Sequence, residues 1–416
     1  MCWSGVYLLK IHRLLIDQMA LALKDIFSTD HHAHKVIESY LKKNRKWGSR
    51  DRRFFAESVY DLVRFWRLYW SLAGYSDQDY RQGDNMSLGQ IERVWATYYM
   101  SKTGEQIPWP EFDNINVHTI EERRKKITDE GILISYPDNL IQILKAEWKD
   151  QWLEMAKSLN EAADVYLRTN SLKGSRDSLA QKLNQEDILV QNVSDDLTAL
   201  KLSERKNVFV SPSFKEGLFE VQDLGSQKIA PFLKIEPGQR VIDACAGAGG
   251  KSLHLACLMK NKGRIVALDI YDRKLEELRT RAKRNGVDII ETRLIESTKV
   301  IKRLEKAADR VLLDVPCSGL GVLRRNPDKK WKVSAAEIER LTQLQWQILT
   351  SYSEMTKPGG YLVYATCSLL PSENELQVKR FVAERGDFWE LEEELFLRPD
   401  KNATDGFYAA RLKRRQ

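Results

Sequence analysis

Residues 243–252 read "DACAGAGGKS", and the fold of the C-terminal half turns on this stretch. Its end, Gly250-Lys251-Ser252, resembles the tail of a phosphate-binding loop. That loop requires glycine five positions before Gly250, and position 245 is Cys. Gly247 and Gly249 begin a dinucleotide-type G-x-G-x-x-G pattern, whose third glycine would fall at position 252, which is Ser. The stretch is thus a glycine turn of neither kind, and its surroundings decide its use. Short β-rich runs flank it: "QRVIDAC" (239–245) leads in, and "RIVALD" (264–269), "DRVLLDV" (309–315) and "YLVYAT" (361–366) follow. Helical patterns separate them. "DRKLEELRTRAKRNG" (272–286) ends at Gly286, and "SAAEIERLTQLQWQILTSYSEM" (334–355) opens with a Ser334–Glu337 capping box and stops at "KPGG". A third helix is predicted from Ser372, with Glu375 as its box partner. Alternating strands and helices predict an α/β fold with a doubly wound, mostly parallel sheet.

Ligands of such sheets bind at the carboxyl ends of the strands. Each run here ends in a chemically notable residue: the glycine turn, then Asp269, then Asp314-Val315-Pro316-Cys317, then Thr366-Cys367-Ser368. Gly247, Gly249 and Gly250 permit positive φ and close backbone approach. The helix that follows offers its N-terminal amides to an anion. Asp269 stands where an acid can grip both ribose hydroxyls. The arrangement suits a nucleoside with a small anionic tail, either S-adenosylmethionine or NAD, and the broken dinucleotide pattern argues against NAD.

The chain has 416 residues, 43% hydrophobic and 30% charged, with a net charge of +7. This is an ordinary soluble composition, long enough for two or three domains. The opening "MCWSGVYLL" is soon interrupted by Lys10, His12, Arg13 and Asp17, and lacks the order of a secretory signal. A cytoplasmic protein without membrane spans is expected. Cys2, Cys245, Cys257, Cys317 and Cys367 form no disulfide framework, and the absence of CxxC argues against a metal site. "DHHAH" (30–34) reads as solvated residues before a helix.

Residues 1–150 read as an all-helical domain, with apolar residues at helical spacing in "HKVIESYLKK" and "FFAESVYDLVRFWRLYW". Within it "KKNRKWGSRDRR" (42–53) carries seven basic residues against one acid. Arg45, Lys46, Arg50 and Arg52 are candidates for RNA phosphate contacts, with Trp47 available for stacking. A solvated helix end is the plainer reading. Residues 151–212 predict a small α/β module, with strands at "VYLRTN" and "ILVQN" around the helix "SRDSLAQKLNQ". Residues 213–416 form the α/β domain.

Five segments of that domain carry a family resemblance: "FKEGLFEVQDLGSQ" (214–227), "DACAGAGGK" (243–251), "LDVPCSGLGVLRRNPDKKW" (313–331), "GGYLVYATCSLLPSENE" (359–375) and "TDGFYAARL" (404–412). In this order they resemble the bacterial RsmB/Sun (Fmu-type) ribosomal RNA cytosine-5 methyltransferases of the Nol/Nop/Sun group. "RDRRFFAESVYDLVR" resembles part of the NusB-like RNA-binding domain of bacterial members, and the middle module their RRM-like one. The resemblance implies a Rossmann-like catalytic domain that binds S-adenosylmethionine through Cys245, Ala246, Gly247, Ala248, Gly249, Gly250, Lys251, Asp269, Arg273, Glu296 and Asp314. Two departures stand out: Ala248 replaces the usual Pro, and "RLIESTK" with Glu296 replaces the usual Gly-Asp pair on the adenine side.

The resemblance also implies roles for the rim residues. C5 of cytosine is a poor nucleophile until a thiolate adds to C6, so the reaction needs a reactive Cys. The family pattern makes Cys367 the nucleophile and Cys317 the residue for product release. Asp314 would bind the N3/N4 edge as a protonated or bridging carboxyl, and Lys251 would make the site electropositive. Arg324, Arg325 and Lys330 suit RNA phosphates, with a solvated loop as the alternative. DNA cytosine methyltransferases carry a Glu-Asn-Val partner motif that this chain lacks. The expected partner is therefore RNA, ribosomal RNA first, met by a monomer at an unstacked base. Rival readings are a tRNA cytosine methyltransferase, a non-catalytic RNA-binding assembly factor, and a redox pair of Cys317 with Cys367.

Overall fold

The computed structural model describes residues 12–80, 85–194, 196–399 and 404–416. The chain divides into two compact units. One is built from the chain up to Asn160 together with Arg325–Ser334, and the other from Glu161–Arg324 and Ala335–Gln416. The opening stretch with Cys2 lies outside the described residues.

The first unit is helical. Its larger helices are Arg13–Ser28, Ala33–Lys43, Ser49–Arg64, Leu88–Thr103, Val117–Lys126 and Asp138–Trp148. Leu15, Ile16, Met19, Leu23 and Ile26 recur every three or four residues along the first helix and are buried, which is why this face packs inward. Trp66, Trp70 and Trp95 fill the core. Leu88–Thr103 starts at a Ser87–Gln90 capping box and ends at left-handed Gly104. Arg325–Ser334 folds into this unit rather than with the flanking chain. The Trp331 indole N–H donates to the Val63 carbonyl at 2.7 Å, and the Lys332 ammonium to the His31 carbonyl at 2.6 Å.

The second unit holds two sheets. The smaller one is antiparallel, in the order β2-β3-β1-β4, from Tyr166–Thr169 (β1), Val190–Asn192 (β2), Ala199–Leu202 (β3) and Phe219–Val221 (β4). Leu179 and Leu183 of the helix Arg176–Gln185 pack on Leu167, Leu200 and Phe219. Because β4 pairs with β1, this module runs past residue 212.

The larger sheet has the order β10-β11-β9-β8-β5-β6-β7. Its strands are Arg240–Asp243 (β5), Arg264–Asp269 (β6), Ile290–Leu294 (β7), Ala308–Asp314 (β8), Thr356–Thr366 (β9), Trp389–Leu397 (β10) and Phe407–Arg414 (β11). β5 to β9 pair in parallel, and β10 and β11 add an antiparallel edge. From β5 the chain moves outward through β6 and β7, then returns to the other side at β8. The crevice between β5 and β8 is therefore the topological switch point where ligands of such sheets bind.

Candidate active site

At the end of β5 the backbone turns sharply, with φ of 55° at Gly247 and 84° at Gly249. A Cβ on Gly249 would lie 2.0 Å from Leu278 Cδ1, so only glycine fits there. The Gly247 amide donates to Asp269 Oδ2 at 2.8 Å, and the Tyr271 amide to Oδ1 at 2.9 Å. These bonds fix Asp269 at the end of β6 and leave lone pairs on both oxygens.

An open cleft of about 220 Å³ lies beside the turn. Its lining carries the acids Asp243 and Asp314, the cations Lys251 and Arg281, and Cys245 and Gly250 of the turn. The Lys251 ammonium sits 2.6 Å from Asp314 Oδ2. Burial works to lower the Lys251 pKa, and the Asp314 carboxylate more than offsets it, so the value lies above the ordinary one. Asp243 is almost fully buried and accepts the Ser252 hydroxyl at 2.6 Å. Burial, aided by Asp314 and opposed by Ser252 and Lys251, pushes its pKa up to about 7. Burial and the carboxylates of Asp243, Asp314 and Asp269 also push the Cys245 thiol up, so Cys245 stays protonated and inert.

The other rim cysteines meet. Cys317, beyond β8, and Cys367, beyond β9, have their sulfurs 3.4 Å apart. This is thiol contact, well beyond the roughly 2.05 Å of a disulfide bond. The Gly321 amide donates to the Cys367 carbonyl at 3.0 Å, tying one loop to the other.

The chain is similar to known proteins over most of its length. Residues 230–413 match the 16S rRNA methyltransferase RsmB/F family, and residues 136–209 match the ferredoxin-like domain of RsmF/B-like methyltransferases. The chain is 30% identical over 438 aligned positions to a Synechocystis sp. protein named "Probable ribosomal RNA small subunit methyltransferase B", covering 95% of this chain and 98% of that one. The chain belongs to the RsmB/F family of methyltransferases. A methyltransferase homologue from Pyrococcus horikoshii is similar in structure, with 27% identity and a TM-score of 0.61 over 69% of this chain and 98% of that one. The crystal structure of PH0851 shares the fold over 97% of this chain and 99% of its own, with a TM-score of 0.80 at 23% identity.

The residues expected at the site of this RsmB/F methyltransferase lie both on the cleft lining and away from it. Arg273 is exposed in the first turn of the helix after β6, and Glu296 is exposed beyond β7. Neither lines the cleft, and nor do Gly247, Ala248, Gly249 and Asp269. Lys330 is a correction: it is 1% exposed, donates to the Arg64 carbonyl and to Asn160, and lies 4.5 Å from the Tyr136 ring centre. Burial lowers its pKa well below the ordinary value. Such a lysine cannot reach an RNA phosphate. Arg324 is a second correction, being buried and donating to the Thr404 and Ala162 carbonyls. Arg325 is half-buried. In the basic segment Arg45, Lys46 and Arg50 are exposed, while Arg52 is half-buried and donates to the Leu41 carbonyl at 2.9 Å. Trp47 packs on Phe55 with ring centres 5.0 Å apart, which removes it as a free stacking surface.

The structure also adds residues. Arg281 donates to the Ala248 carbonyl at 2.7 Å, and Arg168 of β1 donates to the Gly250 carbonyl at 2.8 Å, so two guanidiniums hold the glycine turn from outside. Glu220 of β4 anchors Arg281 at 2.9 Å and also accepts from Arg284 and Asn285. Burial opposes its ionisation, and the arginines more than offset this, so its pKa is lowered. Asp243 was the most readable of these, as an acid closing the apolar run "RVID". Arg281 had no signal, since charges surround it throughout "DRKLEELRTRAKRNG".

Proposed function

We propose that this methyltransferase moves a methyl group from S-adenosylmethionine to C5 of a cytosine in ribosomal RNA, through a covalent bond between Cys367 and C6. The observation that carries this reading is the pair of thiols 3.4 Å apart at the ends of adjacent strands. A binding protein needs no such pair. The name of the Synechocystis relative supports ribosomal RNA over tRNA.

The residues present fit the cofactor. The turn admits no side chain at Gly249, Asp269 keeps acceptors for two ribose hydroxyls, and Asp243 and Asp314 line the cleft beside the turn. When bound, S-adenosylmethionine supplies an electrophilic methyl group. The Cys367 sulfur adds to C6 as thiolate, and the displaced electron pair makes C5 nucleophilic. Asp314 bridges between the Lys251 ammonium and the cytosine edge, so a proton can pass to N3 as the adduct forms. Once C5 is methylated, N3 returns its proton to Asp314 and the Cys317 sulfur, as thiolate, takes the proton from C5. The C–H electrons re-form the C5–C6 double bond, and the bond from Cys367 to C6 breaks.

The test is methyl transfer from labelled S-adenosylmethionine to transcribed 16S rRNA and to tRNA, read by mass spectrometry of the nucleosides. The reading expects 5-methylcytidine in the rRNA. Label in tRNA alone would move the substrate, and label on another base would end the cytosine reading.

A further inference from the structure

The sulfur contact depends on how two separate loops are held, since Cys317 and Cys367 follow different strands. Directly behind them lies Glu373, which is 0% exposed. One carboxylate oxygen accepts the Ser318 amide at 2.8 Å and the Gln345 side-chain amide at 2.9 Å, and the other accepts the Ser318 hydroxyl at 2.5 Å. Ser318 follows Cys317 directly. Its hydroxyl lies 3.2 Å from that of Ser368, which follows Cys367. Gln345 also donates to the Pro316 carbonyl at 3.0 Å, on the other side of Cys317. The next residue, Asn374, accepts the Thr366 hydroxyl at 2.5 Å and donates to the Ser368 carbonyl at 3.1 Å. Glu373–Asn374 thus grips the neighbours of both cysteines.

Among the described residues Glu373 has no cationic partner, and its three donors are neutral. Burying a carboxylate without a counter-ion is costly unless each of its bonds is well made. A neutral residue could fill this space without that cost. The carboxylate offers two oxygens that can take an amide, a hydroxyl and a side-chain amide together, and so fix the direction of one short loop.

We propose that Glu373 is the positioning residue that holds the Cys317 loop against the Cys367 loop and so sets the distance between the two sulfurs. Its consequence for product release rests on the covalent reading above, while the sulfur distance itself does not. With Glu373 truncated, the Ser318 amide loses its acceptor, the loop turns, and Cys317 moves from the position where it takes the C5 proton. Attack by Cys367 continues.

The distance can be read without RNA or cofactor. Diamide oxidises the thiol pair: two electrons and two protons pass to its N=N bond, giving the hydrazine, as the S–S bond forms. The full-length protein is treated with diamide, and closure of Cys317 to Cys367 is followed by peptide mass spectrometry. Glu373→Ala should close at least about tenfold more slowly than the parent. In turnover it should bind cofactor within about twofold of the parent, lose roughly tenfold or more in kcat, and accumulate a protein–RNA adduct. Glu373→Gln keeps an oxygen for the Ser318 amide and a donor for its hydroxyl, and should restore both readings. Parent-like closure in Glu373→Ala overturns the proposal. Equal impairment in the Gln variant does too, because the bonds it keeps to the Ser318 amide and hydroxyl would then not set the sulfur distance. If Glu373→Ala fails to fold, Ser318→Ala removes only the hydroxyl link: slower closure supports the proposal and an unchanged rate overturns it. Slowed closure in a protein that transfers no methyl group would leave the positioning role standing and remove the proposed function.

Discussion

Replacing Asp243 by Asn tests the electrostatics of the cleft. Burial raises the Asp243 pKa from 3.8 to about 7 in the folded chain. Between those values the folded protein holds a proton that the unfolded chain releases. The stability this proton contributes is fully present below pH 3.8 and is lost as pH rises through about 7. A rise of this size corresponds to roughly 4 kcal/mol. Asn cannot ionise, retains an acceptor for the Ser252 hydroxyl, and lacks this slope. Urea unfolding followed by circular dichroism between about pH 4 and 8 should therefore show Asp243→Asn gaining on the parent as pH rises, by up to roughly 4 kcal/mol, then levelling off. Parallel curves for the two proteins would refute the reasoning.

Other substitutions probe the turn and the RNA surface. Gly249→Ala places a methyl group 2.0 Å from Leu278 Cδ1 at a positive φ; calorimetry should show cofactor binding abolished in a folded protein. Asp269→Ala should weaken cofactor binding by about 1.5–3 kcal/mol, the range for hydrogen bonds to a charged group, and unchanged affinity would take Asp269 out of the site. Lys330→Met should lower the melting temperature and leave the salt dependence of RNA binding untouched, since that lysine is buried. Neutralising Arg45, Lys46 and Arg50 together should flatten the log–log salt slope by about 0.7–0.9 for each RNA phosphate that the protein no longer neutralises.

The strands were legible as short apolar runs, and the rule that such sheets bind ligands at strand ends singled out Asp269, Asp314 and the two cysteines, whose roles came from the family resemblance. The antiparallel edge was harder to see, because "WELEEELFL" carries four acids and bulges at the β10–β11 pairing between Leu391 and Glu393. The helix read from Ser372 begins at Glu375 instead, because Glu373 and Asn374 are bonded inward to the cysteine loops. Lys330 misled for a related reason. In "NPDKKWK" its neighbours Lys329 and Lys332 are also basic, and nothing local distinguishes the lysine that donates to Arg64 and Asn160, far away in sequence. The guanidiniums holding the glycine turn come from β1 and from the far end of a helix, so their meeting exists only in the folded chain.

The central claim is that the two touching cysteines do different work, and one gel tests it. Cys367→Ala and Cys317→Ala are each incubated with substrate RNA, with and without S-adenosylmethionine, and run under denaturing conditions. The account predicts no adduct from Cys367→Ala, and from Cys317→Ala an adduct that survives denaturation and requires S-adenosylmethionine, because release is blocked only after methyl transfer. An adduct from Cys367→Ala and none from Cys317→Ala would reverse the roles, and full turnover by both variants would contradict covalent catalysis in this protein.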